Sequence, residues 1–171
     1  MSTIKGRDPV NPFSIGPVRP EEARSLLDVQ SESFSGYRDL FKTHVWTNET
    51  VDEFWAELPS VTVLVARDSS GQIVGAVRGR IVEGVWVVRK LCVSPSCQAK
   101  GVGRSLMRAV EEAVPPGCHK ISVCTMLVLG QNVRFFLSLG YEPESLMPDH
   151  YNRLHLICFR KMRNPLQAAT V

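Results

Sequence analysis

"VSPSCQAKGVGRSLM", residues 93–107, is where the hydrophobic period of the chain changes, and its reading decides the fold. An apolar strand stops at Pro95, passes through a turn carrying Gly101 and Gly103, and restarts as a helix with Arg104 and Arg108 on its outer face. A helix start offers unpaired backbone N–H groups and the positive end of the helix dipole, and glycine lets a backbone approach an anion closely. With Gln98, Lys100 and Arg104 as further donors, "QAKGVGRS" has the parts of a phosphate seat. It lacks the Gly-Lys-Ser/Thr of a P-loop, and its glycines do not fit the dinucleotide fingerprint. Taken alone, the stretch reads equally as a tight strand-to-helix turn.

Upstream the period is two: "VTVLVAR" (61–67), a Ser-Ser-Gly turn and "IVGAVRGRI" (73–81) form a hairpin, and Glu83-Gly84 turns into a third strand, "VWVVRKLCV" (85–93). Strict alternation puts Val85, Val87, Arg89, Leu91 and Val93 on one face, and Trp86, Val88, Lys90 and Cys92 on the other. Before the hairpin, "FSIGPV" (13–18) is extended. A helix follows with Ala23, Leu26, Leu27 and Gln30 on one face, and Thr50-x-x-Glu53 is a capping box opening a second helix. After the glycine turn, Gly103–Val114 is a helix facing inward with Leu106, Met107, Val110 and Val114. "KISVCTM" (120–126) is a strand, Val133, Phe136 and Leu137 share a helical face ending at Gly140, and "HLICFRKM" (155–162) is the last strand. The order β-α-α-β-β-β-α-β-α-β predicts an α/β domain with a mixed, mostly antiparallel sheet and helices on both faces. Residues 1–12 read as a flexible lead, 13–163 as the domain and 164–171 as a flexible tail.

A chain of 171 residues with 44% hydrophobic and 22% charged residues suits one globular core. A net charge of +3, with Lys and Arg clustered only as pairs, gives no footing for nucleic acid, and no stretch is long and apolar enough for a membrane helix. The five cysteines are odd in number and form no Cys-x-x-Cys, so reduced, structural thiols, no metal site and a cytoplasmic protein are expected.

Gln98-x-x-Gly101-x-Gly103 between "LCVSPSC" and "RSLMRAVEEAV", followed by "NVRFFLSLGYEP" (132–143), resembles the two characteristic stretches of the GNAT superfamily of acetyl-CoA-dependent N-acetyltransferases. The element order from Phe13 to Met162 follows the same family. The resemblance implies that backbone groups of Gln98, Ala99, Lys100, Gly101, Val102, Gly103 and Arg104 hold the pyrophosphate of acetyl-CoA. It further implies that Leu91, Cys92 and Val93 splay from the strand at 120–126 to take the pantetheine arm, and that Asn132 and Phe136 border the same site. The reaction implied is direct transfer, in which a neutral amine attacks the thioester and a thiolate leaves.

Two positions depart from the family's pattern. Phe136 stands four residues before Gly140, where many relatives carry a tyrosine that protonates the departing sulfur, and Arg89 stands where several carry a glutamate base. The acid is then unassigned, with Tyr151 or water as substitutes, although a thiol of pKa about 8–9 leaves with little help. Glu83 is a candidate base, and His44 and His150 lie in the two segments that flank the family's acceptor site, as does Tyr37. Arg89 is either a clamp for an acceptor's carboxylate or phosphate or a sheet arginine paired with a nearby acid.

The expected function is N-acetylation of a primary amine, on a small molecule, with a protein lysine or N-terminal amine as the other acceptor class. A non-catalytic CoA-binding sensor or regulatory module, which Phe136 and Arg89 would suit, is the alternative from a different class. An unrelated nucleotide-binding domain is disfavoured by the missing P-loop lysine. An open sheet ending in a C-terminal strand is compatible with a homodimer.

Overall fold

The stripe Ala23, Leu26, Leu27 and Gln30 is the buried face of helix α1 (Ala23–Ser35). Arg67 anchors the approach to that helix, donating to both Glu22 carboxylate oxygens at 2.6 Å and to the Pro17 carbonyl at 2.8 Å. The capping box forms as its spacing requires: Glu53 N–H donates to Thr50 Oγ1 at 3.2 Å and Thr50 N–H to Glu53 Oε2 at 2.8 Å. It opens α2 (Val51–Glu57), which buries Phe54. The computed structural model describes residues 13–37, 39–40, 48–151 and 153–163, Tyr151 by its backbone alone. The expected lead over 1–12, the tail over 164–171 and His44 lie outside these residues.

Strands β1 (Ser14–Pro17), β2 (Thr62–Arg67), β3 (Ile73–Val82), β4 (Val85–Val93), β5 (Lys120–Met126), β6 (Glu142–Tyr151) and β7 (Leu154–Met162) form one sheet in the order β1-β2-β3-β4-β5-β7-β6. The β4–β5 pair is parallel and is joined through α3 (Val102–Glu112), the crossover that a parallel pair needs. The other pairs are antiparallel, and α4 (Gly130–Ser138) lies between β5 and β6 in the chain. Successive residues of β2 divide between two cores. Leu64 and Ala66 pack with Leu106, Met107 and Val110 of α3, whereas Val63 and Val65 pack with Leu26 of α1 and Phe54 of α2. Helices on both faces of the sheet require this division.

Four local expectations need correction. The sheet has one strand more than the periodicity predicts, because β6 carries Pro143, Pro148 and a row of acids. Such a segment is tolerated as a strand only at an edge, where β6 lies. Leu137 is exposed at 46%, so α4 buries Phe136 without it. Strict alternation along β4 fails: Arg78 pairs with Arg89 and Ala76 with Cys92, so Val77 faces both Lys90 and Leu91. Lys90 takes a positive φ of 51°, a β-bulge. Beyond it the faces exchange. Cys92 joins the α1 and α2 core, while Leu91 and Val93 join the core that holds Trp86 and Val88. Finally, Cys124 and Cys158 are not reduced thiols but a disulfide, set opposite each other by the β5–β7 register across a sequence separation of 34. Among the described residues no helix is long and apolar enough to cross a membrane.

Candidate active site

The pairing of β4 with β5 runs from Val85 and Lys120 to Val88 and Val123 and then ends, although β4 continues to Val93 and β5 to Met126. The unpaired halves form the walls of a wedge, with Arg89–Val93 on one side and Cys124–Met126 on the other. The short turn Pro95–Cys97 leads from the end of β4 into the glycine turn and α3. Ala99 and Gly101 both take left-handed conformations, with φ of 59° and 87°. Ser105 N–H donates to the Gly101 carbonyl at 3.0 Å as the helix begins. The N–H groups of Val102, Gly103 and Arg104 therefore project from the helix end, where no preceding turn accepts them.

Side chains around this turn brace it. Gln98 Nε2 donates to the Val93 carbonyl at 3.2 Å, and Arg104 Nη2 donates to Ser138 Oγ at 3.0 Å, tying α3 to α4. Val102 is 1% exposed and contributes its side chain to the core. Asn132 Nδ2 donates to Thr125 Oγ1 at 3.2 Å, tying α4 to the unpaired end of β5. Lys100 is exposed. What the turn presents to an anion is thus backbone N–H and Lys100, more than the Gln98 and Arg104 side chains that the sequence suggested. Val93 N–H donates to Ser33 Oγ of α1 at 3.3 Å, so both its backbone groups have internal partners.

Phe136 is not at the wedge. It is 5% exposed, in aromatic contact with Phe135, Tyr141 and Phe159 at centroid distances of 5.3, 6.1 and 5.8 Å. The residue beside the turn is its neighbour Phe135: a Cβ built on Gly103 would stand 3.5 Å from Phe135 Cζ and 3.7 Å from Val93 Cγ2. Sequence reasoning missed Phe135 because helical periodicity does not decide between two adjacent aromatics. Glu83 is also misplaced. It sits in the β3–β4 turn, beside the closed end of the β4–β5 pair, roughly 15 Å or more from the wedge at about 3.3 Å per residue.

Arg89, at the first unpaired position of β4, is ion-paired with Glu57 of α2. Behind it lies a network that no sequence motif announces. Arg78 Nη1 is 2.8 Å from Glu49 Oε1 and 2.6 Å from Glu57 Oε2, and Lys90 Nζ is 2.9 Å from Glu49 Oε1. Gln30 accepts from Arg78 Nη2 at 2.9 Å and donates to Glu49 Oε2 at 2.8 Å. The bulge places Arg89 and Lys90 on one face, so three cations meet two carboxylates here, with one positive charge in excess. Burial pushes the Lys90 ammonium below its usual range. The Glu49 carboxyl goes the other way: burial would raise it, yet hydrogen bonds from Arg78, Lys90 and Gln30 hold it down to about 2. Arg78 Nε and Arg89 Nε are buried without a hydrogen-bond partner.

Tyr37 is half-buried just beyond the C-terminal end of α1. His150 is exposed near the end of β6, whose Tyr151 pairs with Leu154 in a hairpin. Since Leu156 pairs with Met126, this hairpin lies past the open end of the wedge. His155 Nδ1 accepts from Asp149 N–H at 3.2 Å. Among the described residues no group of three or more His, Cys, Asp or Glu could hold a metal ion.

A family model described as an acetyltransferase (GNAT) domain matches residues 59–143. Among solved structures, a Streptococcus mutans UA159 protein, smu.2055, superposes with a TM-score of 0.77 at 16% identity over 87% of this chain and 98% of its own. The PaiA N-acetyltransferase of Thermoplasma acidophilum, solved with coenzyme A, gives 0.71 at 14% identity over 88% and 99%. Arabidopsis thaliana NAA60, solved with a bisubstrate analogue, gives 0.71 at 13% identity over 89% and 98%. A search of the curated proteins finds no match to this sequence.

Proposed function

The chain carries a domain of the GNAT acetyltransferase superfamily, and from that premise we propose that it moves the acetyl group of acetyl-CoA to a primary amine, most readily that of a small molecule. The observation that carries this reading is the wedge itself: two strands that stop pairing at Val88 and Val123, directly below a glycine turn with open N–H groups. In this reading the Val102–Arg104 amides and Lys100 hold the pyrophosphate. The arm enters between Leu91–Val93 and Cys124–Met126, with Phe135 and Asn132 on its α4 side. Acetyl-CoA supplies an activated acyl group, and the protein supplies orientation and charge around the reacting carbonyl.

Glu83 has no part in this proposal, because it lies at the wrong end of β4. Glu49 and Glu57, the carboxylates nearest the wedge, are tied to Arg78, Arg89 and Lys90. A carboxyl held at about 2 is a poor base near neutral pH. We therefore assign this network to acceptor recognition: its excess positive charge, with Arg89 foremost, favours an amine that also bears a carboxylate or phosphate. Tyr37 and His150 are the proposed acceptor-side contacts within the described residues, and Tyr151, past the open end of the wedge, is the proposed proton donor. Nucleic acid and membrane have no part in the reading. The site of action proposed is the cytoplasm, and a homodimer through the exposed edge β6 is compatible with it.

The other reading is a CoA-binding module without catalysis, favoured by the ion-paired state of both carboxylates at the wedge. Release of free thiol from acetyl-CoA across a panel of amines, with anionic and neutral members, separates the two. Steady turnover supports transfer. Tight CoA binding with no turnover for any small-molecule, lysine-peptide or N-terminal peptide acceptor overturns it in favour of the module.

A further inference from the structure

Cys124 stands at two boundaries at once. It is the first residue of β5 past the last β4–β5 pair, and it is the residue of β5 directly opposite Cys158 of β7, to which it is joined by a disulfide. Alternation fixes the face it presents. Ile121 and Val123 belong to the core under α3, so Cys124 points to the other face, which it shares with Arg89 at the matching level of β4. Its burial is also unequal to its partner's: Cys124 is exposed, whereas Cys158 is 7% exposed. One sulfur of the bond is thus open to attack from the wedge, and the other is set back beneath the sheet surface. The remaining cysteines are unpaired. Cys92 and Cys118 are buried, and burial pushes the Cys92 thiol up to about 12, so neither competes as a reactive thiol.

We propose that Cys124–Cys158 is a thiol-exchange site whose ligand is the free thiol of CoA, the product left in the wedge after acyl transfer. This rests on the reading that the wedge takes acetyl-CoA. The CoA thiolate bonds to the Cys124 sulfur, the Cys124–Cys158 bond breaks, and Cys158 leaves as a thiolate that takes up a proton. The thiol that enters loses its proton and the thiol that forms gains one, and no outside oxidant is needed. The outcome is a mixed disulfide that fills the wedge with its own product, reversed by a second thiol. Acetyl-CoA cannot react in this way, because its sulfur is acylated. The site therefore distinguishes the deacylated from the acylated form, and in a reducing compartment a disulfide is characteristically transient in this sense.

The test uses the full-length protein prepared without reductant and incubated separately with CoA, acetyl-CoA and glutathione at equal concentration. Intact mass and peptide mapping are the readouts. The expected result is one CoA per chain on Cys124, removed by dithiothreitol, no adduct from acetyl-CoA, and a glutathione reaction at least about tenfold slower, since binding in the wedge raises the local thiol concentration. Free, alkylatable Cys124 and Cys158 in the unreduced protein would sink the proposal. So would an adduct confined to Cys97, equal rates for CoA and glutathione, or no CoA adduct at all. Calorimetry of CoA with the Cys124→Ser/Cys158→Ser double variant separates the two readings. Binding there without an adduct in the parent removes the exchange site alone, and no binding in either protein removes both.

Discussion

Arg78 Nη1 lies 2.8 Å from Glu49 Oε1, and the two side chains are 1% and 8% exposed. The same guanidinium reaches Glu57 of α2 and Gln30 of α1, and stacks over the Phe54 ring with its Cζ 5.0 Å from the centroid. One side chain from β3 thus holds both helices on that face of the sheet, and does so next to the position where β4 leaves β5.

The pH dependence of stability should report this contact. A carboxyl lowered from 4.5 to about 2 contributes stability that is complete above the unfolded value and is lost as pH falls through that window. Urea midpoints should therefore hold steady down to about pH 5 and fall below it. Glu49→Gln should shrink the fall and cost about 3 kcal/mol near neutral pH, because Arg78 and Lys90 are left buried without it. Identical acid profiles for the parent and Glu49→Gln would refute the role given to this pair.

At the glycine turn, charge and shape separate cleanly. An added Cβ at Gly103 meets its neighbours at ordinary contact distances, so Gly103→Ala should fold and bind acetyl-CoA within a few-fold of the parent. Gly103→Asp places a carboxylate among the N–H groups and should weaken binding at least about thirtyfold, roughly 2 kcal/mol. Calorimetric titration of both variants checks it, and equal affinity in the two would remove the phosphate seat.

The two adjacent phenylalanines should respond in opposite currencies. Phe136→Ala opens a hole in the aromatic core and should cost about 3–5 kcal/mol of stability. Phe135→Ala should change stability less and raise the dissociation constant for CoA several-fold. Phe136→Tyr, attractive from sequence as a restored acid, instead buries a hydroxyl among rings and should destabilise by about 1–3 kcal/mol without raising kcat. A gain in kcat would show that the ring reaches the reacting sulfur after all.

Arg89→Ala should raise KM for anionic acceptors while the dissociation constant for CoA stays within about twofold. Arg89→Lys should recover little, since the planar fork shared with Glu57 is lost. If neutral polyamines are the best acceptors and Arg89→Ala leaves their KM untouched, the arginine is a brace for α2 and no more.

Local rules carried most of the elements. The Ala23–Gln30 stripe, the Thr50 box and the limits of β4 and β5 follow from periodicity and capping, and the structure meets them residue for residue. The glycine turn was legible because its conformational demands are written in Gly101 and Gly103. What escaped is long-range. Glu49 and Glu57 read as helix-start and helix-end acids until the sheet brings Arg78 and Lys90 to them, and Cys124 meets Cys158 only through the β5–β7 register. Assigning Glu83 to the site failed for the same reason, because proximity in sequence to β4 does not say which end of it is open.

The bulge at Lys90 makes β4 two half-strands of opposite parity, and this has a consequence for how the protein tolerates change in length. Removing a single residue there would restore regular alternation, which would swing Cys92 toward the α3 core and bring Leu91 and Val93 out under α1, exchanging both linings of the wedge together. A strand usually absorbs a small deletion at its ends by sliding. Here the phase jump lies in the middle, with buried partners committed on both sides, so the segment from Arg89 to Val93 has a fixed count and behaves as an inherited spacer rather than as generic sheet.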